Sequence, residues 1–317
     1  MVKEDFYYDS RDGVSKLHAV RYSPEGEDEV RCVVQIVHGM AEYVERYEEF
    51  AQFLTSKGIV VTGEDHMGHG KSVGKDGKFG FFCEQDPATV LVRDVHRLKK
   101  ATQIIYPNVP YIMLGHSMGS FITRNYLFRY GTGITAAVIM GTGMPGKKTI
   151  SLSKAVAGLQ RIFLGPRHVS EMINSLAFGK YNAEVENPRT KFDWLSRDNA
   201  RVDQYIADPL CGFTFTVNGF STLFELIARL HQVDNLERIP KQIPLLLISG
   251  AADPVGDYGR GVRRAYDSLC AVGLDNIQLK LYEEARHELL NETNRSDVAQ
   301  DIYNWIEETV LQNKLQE

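Results

Sequence analysis

Short apolar runs, each closely followed by a glycine, recur along the chain at 33–37, 59–61, 111–114, 136–140 and 244–248. Their apolar residues fall at successive rather than alternate positions, which predicts strands buried on both faces. Between them lie stretches with helical spacing, at 47–57, at 89–105 with Val92, Val95, Leu98, Ala101, Thr102 and Ile105 on one side, and at 121–130. Strand and helix alternate, so the expected class is α/β, with a doubly wound and mostly parallel sheet. Ahead of this rhythm, residues 6–23 read as two strands around Arg11-Asp12-Gly13, an N-terminal β-hairpin whose glycine accepts a positive φ.

The alternation breaks once. From Gly141 to Ile243 no comparable strand run occurs, whereas an ordinary crossover needs one helix and two short loops. Helical spacing is instead found at 152–164, at 168–178 (Val169, Met172, Ile173, Leu176) and at 220–230 (Phe220, Leu223, Phe224, Ile227). The expected organisation is a core of 1–143 and 240–317 with 144–239 inserted as a helical lid over the sheet. The other reading of these stripes is a second subdomain packed on its own apolar face. The rhythm resumes with a strand at 245–249, a helix at 258–270, a strand at 277–281 and a terminal helix from 296 to 315.

Composition narrows the classes. With 43% hydrophobic and 24% charged residues in 317, the chain has an ordinary globular balance that supports neither disorder nor membrane integration. Lys+Arg 36 against Asp+Glu 41 gives a net charge of -5, which argues against a nucleic-acid partner. Cys32, Cys83, Cys211 and Cys270 are far apart with no CxxC pair, so neither a disulfide scaffold nor a zinc cluster is expected. The first residues, Met1 to Phe6, contain no apolar leader, and the expected location is cytoplasmic.

The candidate chemistry begins at Gly115-His116-Ser117-Met118-Gly119, a G-x-S-x-G pattern in which a sharp strand-to-helix turn lifts a serine above the sheet. A second match, Gly70-Lys71-Ser72-Val73-Gly74, has loop residues on both sides, whereas Ser117 sits between an expected strand and an expected helix. Ser117 is therefore the candidate nucleophile. A serine hydroxyl needs a base, and the base needs a carboxylate to fix its tautomer. In the chain order Ser, Asp/Glu, His, the carboxylate is Asp253, just past the strand at 245–249. His287 is the sole histidine after Asp253, and it is assigned as the base by elimination. Two backbone N–H groups are needed for the oxyanion, and those of Met118 and of Met40, in the turn His38-Gly39-Met40, are the candidates.

Three other patterns are set aside. Gly141-Thr142-Gly143-Met144-Pro145-Gly146 is a formal GxGxxG, but Arg161 stands where a ribose-binding acid is required. Gly70-Lys71-Ser72 imitates the end of a phosphate loop whose first glycine would fall on Asp65. Asp65-His66-Met67-Gly68-His69 groups possible metal ligands on a loop, where hydrogen-bonded structure is the commoner use. Neither cofactor nor metal is expected.

These residues together resemble the α/β-hydrolase fold and, within it, the monoacylglycerol lipase and lysophospholipase-like serine hydrolases. His38-Gly39-Met40-Ala41-Glu42 through Arg46-Tyr47 is similar to that family's HG-x-x-E-x-x-x-RY signature, with Ala41 where glycine is common. Asp65 to Ser72 resembles its D-x-x-GHG-x-S loop, and Gly115 to Gly119 its GHSMG elbow. Asp253-Pro254-Val255 and His287-Glu288 resemble the acid and base motifs. The resemblance implies hydrolysis of carboxylic esters of single acyl chains without a cofactor, on a small-molecule substrate, under a helical cap with an apolar wall. An apolar lid would also touch membranes or lipid aggregates transiently. Glu42 and Arg46 are expected to pair structurally. Two other readings stand beside this one: a cap-bearing aminopeptidase using Glu171, Glu184 or Glu186 to hold a substrate ammonium, and a non-catalytic binding protein on the same scaffold.

Overall fold

The computed structural model describes residues 1–26, 30–75 and 77–312. Strands β1 (Val2–Asp9) and β2 (Lys16–Ser23) form an antiparallel hairpin, longer at its start than the residue-6 onset expected. β3 (Cys32–Val37) leads through a short turn to α1 (Glu48–Thr55), β4 (Ile59–Glu64) and α2 (Pro87–Ile105). β5 (Tyr111–His116), α3 (Met118–Tyr130) and β6 (Ala136–Met140) follow. The next strand, β7 (Leu245–Gly250), comes only after α4 (Lys147–Leu164), α5 (Glu171–Phe178), α6 (Asn199–Ala207), α7 (Val217–Arg229) and α8 (Val233–Glu237). The chain closes with α9 (Arg260–Cys270), β8 (Ile277–Tyr282), α10 (Arg295–Ile306) and a π-helical turn at Glu307–Leu311. The end of the helix expected to reach 315 lies outside the described residues.

The eight strands form one sheet in the order β1-β2-β4-β3-β5-β6-β7-β8. β2 pairs antiparallel with β4, and every pairing from β4 to β8 is parallel. The strands read as uninterrupted apolar runs are buried along their whole length, because helices cover both faces. One face packs against α2, α3 and α9 through Val95, Ile122 and Leu269, with Leu226 of α7 in the same cluster, the other against α1 and α10 through Leu54 and Ile302. Helices α6 and α8 were not expected. α6 buries only Val202 and Tyr205, too narrow a stripe to register as a period, although Asp198 caps it by accepting from the Ala200 and Arg201 amides.

Candidate active site

Ser117 stands between β5 and α3 with φ 54° and ψ -119°, a left-handed conformation that a non-glycine residue adopts only under constraint. Its amide donates to the Met140 carbonyl at 3.0 Å, which ties the turn to the end of β6. The flanking glycines are steric necessities. A Cβ on Gly119 would collide with the carbonyl oxygens of Val37 and His38, and one on Gly39 would come within 3.0 Å of the Ser117 Cβ. The elbow and the loop after β3 can therefore approach closely. Ser72, by contrast, is buried in a short 3-10 turn, donating to the Asp65 carbonyl at 2.6 Å and accepting from the His18 amide at 2.9 Å. It serves the loop rather than the cavity.

His287 Nδ1 donates to Asp253 Oδ2 at 2.9 Å, and Asp253 is completely buried. The Asp253 carboxylate also accepts from the Val255 amide at 2.8 Å and the Ser249 hydroxyl at 3.2 Å. Three donors fix it at the end of β7, where it holds the imidazole with Nε2 unprotonated and able to accept. Ser117, His287, Met40 and Met118 all line one cavity of about 950 Å³. The Met40 and Met118 amides make no hydrogen bond among the described residues, and that of Met118 opens α3, at the positive end of its dipole.

Beneath the site lies a buried charge network. Arg46 donates to Glu42 Oε2 at 2.8 Å and clamps both Glu288 oxygens at 2.7 Å, with its guanidinium over the Tyr205 ring. Glu42 Oε1 accepts from the Gly39 amide at 2.6 Å and the Tyr47 hydroxyl at 3.0 Å, and faces His116 Nδ1 at 3.1 Å. Since the other His116 nitrogen faces the His287 carbonyl at 3.3 Å, both ring nitrogens point at acceptors, as an imidazolium requires. Burial opposes the charge on His116, but Glu42 outweighs it and the pKa is raised. Burial likewise opposes the Glu42 charge, yet His116 and Arg46 hold its carboxyl well below the usual range. A raised imidazole loses its contribution as pH rises through the folded value, and a depressed carboxyl loses it as pH falls through its own. The pair therefore contributes fully between pH 4.5 and 6.5, the ordinary values of the two groups, and fades only beyond them. Arg46→Met leaves two buried carboxylates without the guanidinium between them, so urea titration at pH 7 should show a loss of about 3–5 kcal/mol. A loss within error of zero would mean the network is inert.

The loop carrying Met40 turns at Ala41, whose φ is 53°, the left-handed region that favours glycine. The alanine found in place of the usual glycine thus carries strain of roughly 1–2 kcal/mol. Tyr205 and Gly212 hold it there, donating to the Ala41 carbonyl at 3.1 and 3.0 Å. Asp65 accepts from the Val44 and Lys71 amides and from His18, all at 2.8–2.9 Å, the hydrogen-bonded role expected for that loop.

The cavity lining includes the apolar side chains Ile150, Ile173, Phe178, Leu223 and Phe224, so α4, α5 and α7 all contribute to it. Of the three acids considered for an ammonium, Glu171 lines the cavity and Glu184 and Glu186 do not. Two aromatic residues at the site were not anticipated. Trp194 lies beside His287, its ring tilted against the imidazole, and Tyr181 meets Trp194 edge-on. Neither lies in a periodic segment, and the one available hint was that the chain has only 2 tryptophans.

Residues 28–294 match the Hydrolase_4 family, described as serine aminopeptidase, S33. Among curated relatives, the monoglyceride lipase of Rattus norvegicus is 29% identical over 87% of this chain and 82% of its own length. The monoacylglycerol lipase of Mycolicibacterium smegmatis is also 29% identical, over 87% and 88%. Among solved structures, a thermostable carboxyl esterase from Bacillus coagulans, in complex with glycerol, superposes with a TM-score of 0.90 at 29% identity, covering 98% of this chain and 99% of that one. With its elbow at the end of the central strand and a mostly parallel eight-stranded sheet, the chain belongs to the Hydrolase_4 family of α/β-hydrolases.

Proposed function

We propose that this protein is a serine carboxylester hydrolase of the monoacylglycerol lipase type, acting on small esters of one acyl chain. Ser117 attacks the ester carbonyl while His287 takes its proton, and the Met40 and Met118 amides hold the oxyanion. His287 returns the proton to the leaving alcohol, then activates water to release the acid, with Asp253 orienting it throughout. The observation that carries this reading is the Asp253–His287 hydrogen bond of 2.9 Å beside a strained Ser117 in one apolar cavity of about 950 Å³. Relatives named as monoglyceride lipases support the headgroup class.

The segment 144–239 acts as the lid, its inner side receiving the acyl chain. Away from the cavity α4 exposes Leu159, Ile162, Phe163 and Leu164, a surface suited to transient contact with lipid aggregates. No helix among the described residues is long and apolar enough to cross a membrane. The four cysteines are unpaired, which fits a reducing, cytoplasmic setting.

The family's description and Glu171 in the cavity favour one second reading, an aminopeptidase. Against it, the two acids flanking the reaction centre, Glu42 and Glu288, are both engaged by Arg46. Rates on monoacylglycerols, lysophosphatidylcholine, p-nitrophenyl acyl esters and aminoacyl-nitroanilides decide between them. The expected result is fastest turnover of monoacylglycerols and acyl esters, with nitroanilides at background. Preferential cleavage of nitroanilides would establish the peptidase instead.

A further inference from the structure

The imidazole of His287 has two ring neighbours. His116 lies 4.8 Å away, centroid to centroid, and the Trp194 indole lies at 5.2 Å, tilted by 39°. Trp194 belongs to a 3-10 turn at Asp193–Leu195, between α5 and α6, far from His287 in the chain. The turn is stitched to the histidine's own loop. Glu288 donates its amide to the Leu195 carbonyl at 2.8 Å, and the Arg286 guanidinium reaches the Asp193 and Ser196 carbonyls at 2.7 and 3.0 Å. Glu292, fully buried, accepts from the Arg197 amide and side chain and from the Arg286 amide. The indole meets Tyr181 edge-on at 4.8 Å, and the Trp194 backbone amide donates to Asn182 Oδ1 at 2.8 Å.

We propose that Trp194 is a positioning residue for the base: it holds the His287 ring in its bond to Asp253 and stabilises the imidazolium formed when that ring takes a proton. This rests on the reading of His287 as general base. An indole face attracts a cation within about 6 Å of its centroid, most strongly where water is excluded, and His287 is 2% exposed. The other groups facing His287 are Asp253, which is hydrogen-bonded to it, and His116, whose charge is shared with Glu42. Glu288 beside it is neutralised by Arg46, and Tyr181 is kept a neutral phenol by burial and by the Asp253 charge. Trp194 is thus the neighbour that favours a charged His287 without being charged itself.

The test needs no substrate, because a protonated imidazole quenches a neighbouring excited indole. Trp305→Phe leaves Trp194 as the sole tryptophan, and the Trp305 Nε1 has no partner to lose. Emission of that variant should fall in one step as pH is lowered, and the step should vanish on adding His287→Gln. Should Trp305→Phe fail to fold, the difference between wild-type and Trp194→Phe emission isolates the same signal. A flat emission, or a step that survives His287→Gln, overturns the proposal whatever the enzyme's substrate. The kinetic arm is Trp194→Leu, which should lower kcat about tenfold and move the acid limb of kcat/KM down by roughly half a pH unit to one unit. Trp194→Phe should lie between. A merely structural tryptophan would change the rate and leave the limb in place, which would also overturn it.

Discussion

Ser117→Ala should abolish ester hydrolysis, lowering kcat by about 10⁶-fold on p-nitrophenyl acyl esters, the scale found when a triad serine is removed. The remaining rate would come from the oxyanion amides and binding alone. The fold should tolerate the change, because alanine is no worse than serine at φ 54° and the turn is held by the Ser117 amide rather than its hydroxyl. Thermal unfolding should therefore shift by no more than a surface substitution does, about 0.5 kcal/mol. Ser72→Ala should behave the opposite way. It breaks the hydroxyl's bonds to the Asp65 carbonyl and the His18 amide, so it should cost about 1–3 kcal/mol while kcat holds. Comparable loss of activity in both variants would remove the distinction between the two G-x-S-x-G segments.

The second large effect is at Asp253. Replacing it by asparagine keeps an oxygen for the Val255 amide but turns an NH2 toward His287, which favours the tautomer that cannot accept from serine. Asp253→Asn should lower kcat by about 10⁴-fold, with KM little changed because the carboxylate is buried beneath the cavity rather than exposed to substrate. A drop of less than tenfold would mean that a different carboxylate supports His287.

What the sequence made legible, and what it did not, follows from the reach of each interaction. β3, β5, β6 and β7 are sandwiched between helices, so burial leaves unbroken apolar runs that can be read directly. The elbow is legible because its motif is one contiguous pentapeptide between a strand and a helix, although the collisions that bar a side chain at Gly119 come from the end of β3 and from His38 after it. The Glu42–Arg46 pair could be read as neighbours four residues apart. The share of Glu288 in that pair could not, since 242 residues separate it from Arg46. The same is true of Trp194 against His287 and of Arg197 against Glu292, which join the segment between β6 and β7 to the loop of His287 through single side chains. Such contacts impose no period on either stretch, and so the turn at Asp193–Leu195 and the helix after it left no trace that pattern alone could find.

The most direct test of the account is mass spectrometry of the protein after reaction with a fluorophosphonate, which traps an activated serine as a covalent adduct. One adduct is predicted, on the peptide bearing Ser117, absent from Ser117→Ala and slow to form in Asp253→Asn. A chain that stays unmodified, or carries its adduct on Ser72 or another residue, would contradict the assignment of Ser117 as an activated nucleophile.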